Sequence, residues 1–486
     1  MQQAVAPGDP TTPGWPSKPG APREDPKGLR IPDIPSLPIS YAEALPLLKA
    51  LNGHGPAASS FSSAWQTGGL GYKGVKYNVG PSPDNVQIDM MNEQEYVTTP
   101  AWNVIGIING SIPDEVIVMG NHRDAWIAGG AGDPNSGSAA MNEVIRSFGV
   151  ALDRGWKPLR TIVFASWDGE EYGLLGSTEW VEEYVPWLRE AAVAYINVDV
   201  GARGPNFQTS AAPLLNKAIL EVTGEVQSPN QTIEGQTVRD TWSEHISTMG
   251  SGSDFTAFQD FVGISSIDVG FGAGPKDPIY HYHSNFDSFW WMDNFGDPGF
   301  KYHATIARIL ALLAAKLAEE PVISFNATDY AVGLERYLGS VMDAAAESEL
   351  QHLLADDTFT PLEDAINRFQ QASVAFDYDA QLLTWALPTV ASPYPTRRAA
   401  KLYQSIRRTN TKYKLLERQF TYAPGLDSRS WFKHVVFAPG LWTGYAGATY
   451  PGLVEAIDAG DEAAVAKWVE IIEKTILRAT DLLQPQ

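Results

Sequence analysis

The sequence predicts an α/β protein with a mixed, mostly parallel sheet, helices on both faces of the sheet and a C-terminal helical bundle. Two observations predict this class. Short apolar runs alternate with amphipathic helical patterns up to residue 320, and such alternation is typical of a parallel sheet covered by helices. After Pro321 the strand patterns fade and apolar residues recur at helical spacing, which favours a separate bundle.

The strands of the sheet are predicted from five β-rich runs. The runs are Asn103–Ile108, Val116–Met119, Arg160–Ser166, Ala191–Val198 and Gly263–Val269. The first two are expected to pair with each other around Gly110–Asp114. Open α/β sheets place their ligands at the carboxyl ends of parallel strands, so we expect a functional site in the loops that follow these runs.

The helices are predicted from apolar residues at helical spacing. A short helix is expected over residues 41–53, between a Pro- and Gly-rich loop (1–40) and a stretch of loop and strand (54–100). In the α/β part, helices are expected after Pro134 and over Ser177 to about Tyr184, Pro213–Thr223 and Pro298–Glu320. The bundle is predicted to contain Tyr330–Leu354, Pro361–Phe376, Tyr394–Glu417 and Asp461–Leu483.

Composition limits the possible functions. The 486 residues are too many for one compact core, so two or three domains are expected. The net charge of -22 argues against partners such as nucleic acid or an anionic membrane surface. The absence of Cys excludes disulfides, thiolate metal sites and a Cys nucleophile. No signal peptide and no apolar run long enough to cross a bilayer is found.

Metal-type ligands follow three consecutive predicted strands. His122 and Asp133 come after the second strand, Asp168, Glu170 and Glu171 after the third, and Asp199 after the fourth; a later loop holds His281 and His283. Imidazole and carboxylate donors without thiolate suit zinc in open, catalytic sites. Each group alone also has a structural explanation, for example adjacent Glu residues at a helix start. Their coincidence at successive strand ends favours a metal site.

Two roles follow from spacing. Glu170 and Glu171 are adjacent and cannot both serve one ion, so one is expected to bind metal and the other to act as general base. Asp124, two residues after His122, is placed to accept the second imidazole N–H. We also expect a cis peptide bond at Asp133–Pro134, because a ligand turned sharply between two ions suits the X–Pro bond, which adopts cis at low cost.

The segments GNHRDAW, DPNSG, FASWDGEEYGLLGSTEW, YINVD, GSGSDF and YHS, in this order, resemble the glutamate carboxypeptidase II family of co-catalytic zinc exopeptidases. That family includes the transferrin receptors as non-enzymatic relatives. The resemblance covers nearly the whole chain. It implies a C-terminal remnant of an apical (protease-associated) domain with a linker at 1–97, a zinc peptidase domain at 98–320 and a helical dimerisation domain at 321–486.

The resemblance also implies site residues. One zinc ion would be held by His122 and Asp199, the other by Glu171 and His283, with Asp133 bridging both. Glu170 would be the general base, and Asp124 would orient His122; His281 has no counterpart. A structural calcium ion would be held by Thr12, the main chain of Trp15, Glu179 and Glu182. Tyr282 and Tyr445 would contact substrate.

The implied function is a zinc-dependent exopeptidase of carboxypeptidase type that acts on peptides as a homodimer. Glutamate-preferring members have a Lys directly before the tyrosine that matches Tyr445, where this chain has Gly444. A pair of family arginines falls near Asp268 and Gly270. We therefore expect no strong preference for glutamate or acidic dipeptides. The alternatives are an aminopeptidase on the same fold and a non-catalytic receptor-like protein. A two-metal phosphodiesterase would need cationic phosphate clamps, and only Arg123 is close in sequence.

Location is implied by resemblance alone. Family members begin with a cytoplasmic tail and a membrane helix, whereas this chain starts inside the apical domain, so we expect a fragment or truncated gene model that is poorly soluble and inactive by itself. A membrane association would run only through an N-terminal segment absent here. The expected location is the secretory pathway, as a type II membrane, vacuolar or extracellular glycoprotein with sequons at Asn109, Asn230 and Asn326.

Overall fold

The computed structural model describes residues 6–25, 34–66, 68–95, 97–355, 357–390 and 397–485. The start of the helix predicted at Tyr394 lies outside these residues. The chain divides into two compact units, Ile31–Pro100 on the one hand and Met1–Arg30 with Ala101–Gln486 on the other. Each unit is treated separately below.

The smaller unit is built from one helix, short turns and loops. Helix α1 (Tyr41–Ala50) begins at Ser40, whose side chain accepts a hydrogen bond from the N–H of Glu43, while Glu43 accepts one from the N–H of Ser40. The strand expected within 54–100 is not found among the described residues, which show only an isolated bridge between Ala57 and Asn78. Asparagine side chains instead bind backbone groups, as Asn52 does with Gly74 O at 2.8 Å, and so replace a strand ladder.

The larger unit contains a six-stranded sheet, and its mixed, mostly parallel class is confirmed. The strands are β1 (Val104–Ile108), β2 (Ile112–His122), β3 (Arg160–Trp167), β4 (Ala192–Asn197), β5 (Asn206–Ala211) and β6 (Ser266–Gly272). Their order across the sheet is β1-β3-β2-β4-β6-β5. The four central strands are parallel, while β1 and β5 run antiparallel at the two edges.

The expected pairing of the first two strands is wrong. β1 pairs with β3, with Ile107 opposite Val163, and not with β2. Residues 115–122 of β2 are all buried, because this strand lies between β3 and β4 and is covered on both faces. With both hydrogen-bonding sides of β2 occupied, β1 joins the free side of β3. The edge strand β5 was not predicted, since only its alternate residues Phe207, Thr209 and Ala211 are buried.

Helices cover this sheet and continue into the bundle. In the α/β part they are α2 (Asn135–Asp153), α3 (Leu175–Ala191), α4 (Asn216–Thr223), α5 (Val238–Thr241), α6 (Phe289–Trp291) and α7 (Lys301–Glu319). In the bundle they are α8 (Ala327–Glu347), α9 (Thr360–Ala386), α10 (Arg397–Leu416), α11 (Pro451–Asp458) and α12 (Glu462–Leu483), and a small ribbon pairs β7 (Phe437–Pro439) with β8 (Gly447–Thr449). None of the helices in the described residues has the length and apolarity to cross a membrane.

A buried polar network joins the bundle to the sheet side of the same unit. The carboxylate of Glu417, which is fully buried, accepts hydrogen bonds from Gln259 Nε2 at 2.7 Å, Tyr330 OH at 2.8 Å and Ser265 Oγ at 3.1 Å. His434 Nε2 lies 3.0 Å from the same carboxylate. Because a buried carboxylate is stable only when it is well hydrogen-bonded, these contacts require the two parts to pack in one arrangement.

Candidate metal centre

The predicted ligands lie at one edge of the sheet, at the carboxyl ends of its central strands. His122 is the last residue of β2, Glu170 and Glu171 lie in the turn after β3, and Asp199 follows β4. Asp133 lies just before α2, and the peptide bond that joins it to Pro134 is cis, as predicted. A Cβ on Gly137 would lie 2.1 Å from Asp199 O, so glycine allows α2 to approach this edge closely.

The ligand atoms form two clusters that share one carboxylate. In the first, His122 Nε2 lies 3.0 Å from Asp199 Oδ1 and 4.0 Å from Glu170 Oε2. In the second, His283 Nε2 lies 3.0 Å from Glu171 Oε2. Asp133 lies between them, with Oδ1 at 3.4 Å from His122 Nε2 and Oδ2 at 3.3 Å from His283 Nε2. His281, the other histidine of that loop, belongs to neither cluster.

His122 is oriented mainly by a backbone group. Its Nδ1 lies 3.0 Å from the main-chain oxygen of Asp124 and 3.7 Å from the carboxylate of Asp124. A carbonyl can only accept, so Nδ1 carries a proton, which leaves Nε2 as the ring nitrogen that can bind a metal ion. The Asp124 carboxylate accepts the N–H groups of Glu170 and Glu171, each at 3.1 Å. Asp124 therefore positions ligands of both clusters.

The charges of the cluster residues are strongly coupled. Burial raises the pKa of Asp133, but the neighbouring imidazoles of His122 and His283 lower it to about 2. Burial lowers the pKa of His283, whereas Asp133 and Glu171 raise it to about 9. Burial raises the pKa of Glu170 well above its ordinary value. Without a cation, the neighbouring carboxylates favour the protonated form of His283, and burial favours the protonated form of Glu170.

The residues fit a pair of metal ions. Asp133 Oδ1 is buried and has no hydrogen-bond donor among the described residues, although such an atom is costly to leave unpaired. The six donor side chains, arranged as two groups of three, are the nitrogen and oxygen ligands that zinc accepts. Glu170 is the member that stands furthest from its histidine.

Asp287 was missed from the sequence, although it lies four residues after His283. Its buried carboxylate accepts the N–H of Gly132 at 2.7 Å through Oδ1, and the N–H of Asp133 at 3.0 Å and the hydroxyl of Tyr280 at 2.9 Å through Oδ2. It therefore fixes the loop of the shared carboxylate against the loop of His283. A lone Asp in a polar loop gave no periodic signal by which to predict this.

A cavity of about 1190 Å³ opens beside the clusters. Tyr282 and Tyr445 both line it, and the Tyr282 ring stacks on the His283 ring with centroids 3.6 Å apart. The Tyr445 loop comes from the bundle and is held by a hydrogen bond from Ser251 N to Tyr445 O at 3.0 Å. Gly444 has a φ of 73° and open space where a side chain would begin. The two predicted substrate contacts thus lie at the site.

A second cluster fits the predicted calcium ligands. Glu179 and Glu182 on α3 face the segment of Thr12, where Glu179 accepts the N–H of Asp9 at 2.7 Å and Glu182 accepts that of Gly14 at 3.0 Å. Thr12 Oγ1 and Glu182 Oε2 are buried without a hydrogen-bond partner in the described part of the chain. Burial raises the pKa of Glu179 to about 7 and that of Glu182 to about 8. A hard cation would pair these oxygens.

Comparison with known proteins agrees with this arrangement. Residues 103–296 match the model of peptidase family M28, and residues 357–484 match that of the transferrin receptor-like dimerisation domain. The chain is thus similar to M28 peptidases over its α/β part and to the transferrin receptor-like dimerisation domain over most of its bundle. The M28 match covers the sheet and all six cluster residues, and the second match covers the bundle from α9 onward.

The relatives that this chain matches are longer than it is. It is 43% identical to a "Probable glutamate carboxypeptidase" of Arthroderma benhamiae over 92% of this chain and 59% of that protein. It is 32% identical to "Aminopeptidase NAALADL1" of Rattus norvegicus over 96% of this chain and 62% of that protein. The chain thus spans about three fifths of the length of these relatives. Among solved structures, the zinc aminopeptidase BSAP of Bacillus subtilis covers 46% of this chain and 51% of its own, with 18% identity and a TM-score of 0.35.

Proposed function

We propose that the protein is a di-zinc exopeptidase that hydrolyses peptide bonds, of carboxypeptidase type and without strong preference for glutamate. The observation that carries the proposal is the shared carboxylate of Asp133, whose two oxygens face a histidine of each cluster at 3.4 and 3.3 Å. A single-ion site has no use for this symmetry, whereas a bridging ligand between two ions requires it.

The residues have distinct roles in this proposal. His122 and Asp199 would hold one zinc ion, Glu171 and His283 the other, and Asp133 both. The ions would supply an activated water and polarise the substrate carbonyl. Glu170 would accept a proton on a carboxylate oxygen and donate it to the leaving amine nitrogen. Its position suits that exchange, because the buried Glu170 carboxylate lies beside the proposed metal ligands, with Oε2 at 4.0 Å from His122 Nε2.

Glu170→Gln tests this assignment against a matched variant, Glu190→Gln, at an exposed position of α3. We expect the purified full-length wild-type protein to contain about two zinc ions per chain and to cleave short peptides. Glu170→Gln should keep the zinc, measured by elemental analysis, and lose about 10²–10⁴-fold in kcat. Glu190→Gln should behave as wild type. Near-normal turnover by Glu170→Gln would remove Glu170 from the mechanism, and a zinc-free wild type would refute the metal centre.

Two alternatives remain distinguishable. A receptor-like protein without catalysis would not need the six ligands, all of which are present here at short distances. An aminopeptidase has support in the name of the rat relative. Digestion of a peptide library followed by mass spectrometry separates all three functions. A carboxypeptidase shortens peptides from the C-terminus, an aminopeptidase shortens them from the N-terminus, and a receptor-like protein leaves them intact.

Calcium and a partner subunit complete the proposal. We assign the second cluster (Thr12, the main chain of Trp15, Glu179 and Glu182) to one structural calcium ion. The helical part, residues 321–486, would form a homodimer, as the match to a dimerisation domain supports. Residues 98–320 would be the peptidase domain and residues 1–97 an apical remnant with its linker. Sedimentation velocity would show a monomer if the dimer assignment is wrong.

Passage through the secretory pathway is proposed as well. The chain has three sequons, and the asparagines of two of them, Asn109 and Asn230, are exposed. The third, Asn326, is partly buried and caps α8, because its side-chain oxygen accepts the N–H of Asp329 at 2.8 Å. We therefore expect glycans on Asn109 and Asn230 in protein expressed through that pathway. Glycopeptide mass spectrometry that finds all three asparagines unmodified would contradict this location.

A further inference from the structure

The cavity beside the metal centre is lined by many carboxylates and by one Arg or Lys side chain among the residues that the structure describes. The acidic lining residues are Asp133, Glu170, Glu171, Asp199 and Asp268; the cation is Arg203. The sequence had pointed only to Arg123, whose guanidinium instead donates to Ser166 O at 2.9 Å. Arg203 has no role in the proposed function, so its presence in this cavity requires an explanation.

The backbone of Arg203 is fixed relative to the metal ligands. Arg203 is four positions after Asp199 in the sequence, so the two Cα atoms can be at most about 14 Å apart. The loop between them is bound to the end of β6, because Arg203 N donates to Phe271 O at 2.8 Å and Phe271 N donates to Gly201 O at 3.0 Å. Ala202 N also donates to Ser136 Oγ at 3.2 Å. A side chain on this loop has a defined starting point.

The guanidinium of Arg203 is also held in place. Its Cζ lies 5.2 Å from the centroid of the Tyr280 ring, and Tyr280 is itself fixed by its hydrogen bond to Asp287 at 2.9 Å. Stacking on an aromatic ring holds the plane of an arginine and leaves its N–H groups free to bind. The same tyrosine therefore supports both the loop of Asp133 and the cation.

The guanidinium of Arg203 has neither a hydrogen bond nor an ion pair in the described part of the chain. Asp268 is a charged neighbour, since the charge of Arg203 acts to lower the pKa of that carboxyl. Asp268, which lies in the same cavity, accepts a hydrogen bond from Asn197 Nδ2 at 2.9 Å instead, and burial raises its pKa to about 7. An arginine with five free donors in a cavity is suited to bind a carboxylate with two parallel hydrogen bonds.

We propose that Arg203 is a specificity-determining residue that binds a carboxylate of the peptide substrate. This deepens the proposed function and rests on it. The carboxylate belongs either to the free C-terminus or to the acidic side chain of the penultimate residue, and Arg203 would bind either of them in the same way. The inference also revises one sequence expectation: although Asp268 and Gly270 replace the family arginines, the cavity does contain a cation.

The test compares kcat/KM for two matched peptide pairs. One pair differs only in a C-terminal acid or amide, and the other only in Glu or Gln at the penultimate position. Wild type should favour the carboxylate member of one pair by about 10- to 150-fold, the range for a charge-assisted hydrogen bond. In Arg203→Gln that ratio should fall close to one, and Arg203→Lys should recover part of it. Arg154→Gln, at an exposed position after α2, should leave the ratio as in wild type.

A binding measurement separates this inference from the proposed function. Peptides of the same two pairs with a reduced, uncleavable bond are titrated into zinc-loaded wild type and Arg203→Gln by calorimetry. If no peptide is cleaved but the acidic probe loses affinity in Arg203→Gln, the exopeptidase proposal fails and the carboxylate site stands. If peptides are cleaved but both ratios are unchanged in Arg203→Gln, the carboxylate site is overturned. Equal binding of acidic and neutral probes by wild type overturns it as well.

Discussion

Asp287→Asn is the substitution with the clearest expected effect on the metal centre. The side chain keeps its size but loses its charge, and one of its two acceptor oxygens becomes an NH2 group. Both oxygens of Asp287 now accept backbone N–H groups, from Gly132 at 2.7 Å and Asp133 at 3.0 Å. Whichever way the amide turns, one of these buried N–H groups will face another donor.

The magnitude follows from these contacts. A buried N–H group without an acceptor costs about 1–3 kcal/mol, and a hydrogen bond to a charged acceptor is worth about 1 kcal/mol more than one to a neutral acceptor. We therefore expect the free energy of unfolding to fall by about 2–4 kcal/mol. Zinc affinity should fall about 10- to 100-fold, as is typical when a partner of a metal-ligand segment is removed.

The assay is competition for zinc with a chromophoric chelator, together with thermal unfolding. Asp293→Asn is the matched control, because Asp293 is exposed in the same segment of the chain and should change neither quantity. Wild-type zinc affinity in Asp287→Asn would refute the idea that Asp287 holds the Asp133 loop in place for metal binding. A loss of stability without a loss of zinc affinity would show that Asp287 supports the fold alone.

Three further predictions concern protons, calcium and specificity. The pKa of His283 is about 9 in the metal-free site, so the imidazole is protonated at pH 7 and zinc binding should release protons. Calorimetry in buffers of different ionisation enthalpy would contradict this if the heat of zinc binding does not depend on the buffer. In calcium-free protein the pKa values of Glu179 and Glu182 are raised to about 7 and about 8. The stabilisation that these groups contribute is present below about pH 4.3 and is lost as the pH rises through 7 and 8. Calcium should therefore raise Tm more at pH 8 than at pH 5, and an equal shift at both pH values would argue against the calcium site. Because Gly444 offers no cation, a peptide ending in Leu should match or exceed its Glu analogue in kcat/KM, and a tenfold advantage for Glu would refute this pocket.

The positions of the proposed metal ligands could be predicted because they depend on short-range features. His122 and Asp199 each follow a predicted apolar run within three residues, and parallel strands bring their carboxyl ends to one edge whatever the order of the strands. An error in pairing, such as placing β1 beside β2, therefore did not move the ligands. The resemblance to a zinc exopeptidase family then divided the roles between Glu170 and Glu171, which spacing alone left open.

The residues that are proposed to bind substrate and to determine specificity were less predictable, because they come together only in the folded chain. Arg203 lies in a Gly-rich loop, and it becomes a candidate for substrate binding through the Tyr280 ring 77 residues later in the sequence. Tyr445 reaches the cavity because the bundle is fixed to the sheet side through the buried carboxylate of Glu417. Neither contact leaves a periodic pattern. In this chain the chemistry of a metal centre is therefore encoded locally, at strand ends, whereas the choice of substrate depends on long-range packing. A substitution at Arg203, which forms no hydrogen bond or ion pair with the six cluster residues in the described part of the chain, should accordingly change which peptide is cleaved more than whether zinc is bound.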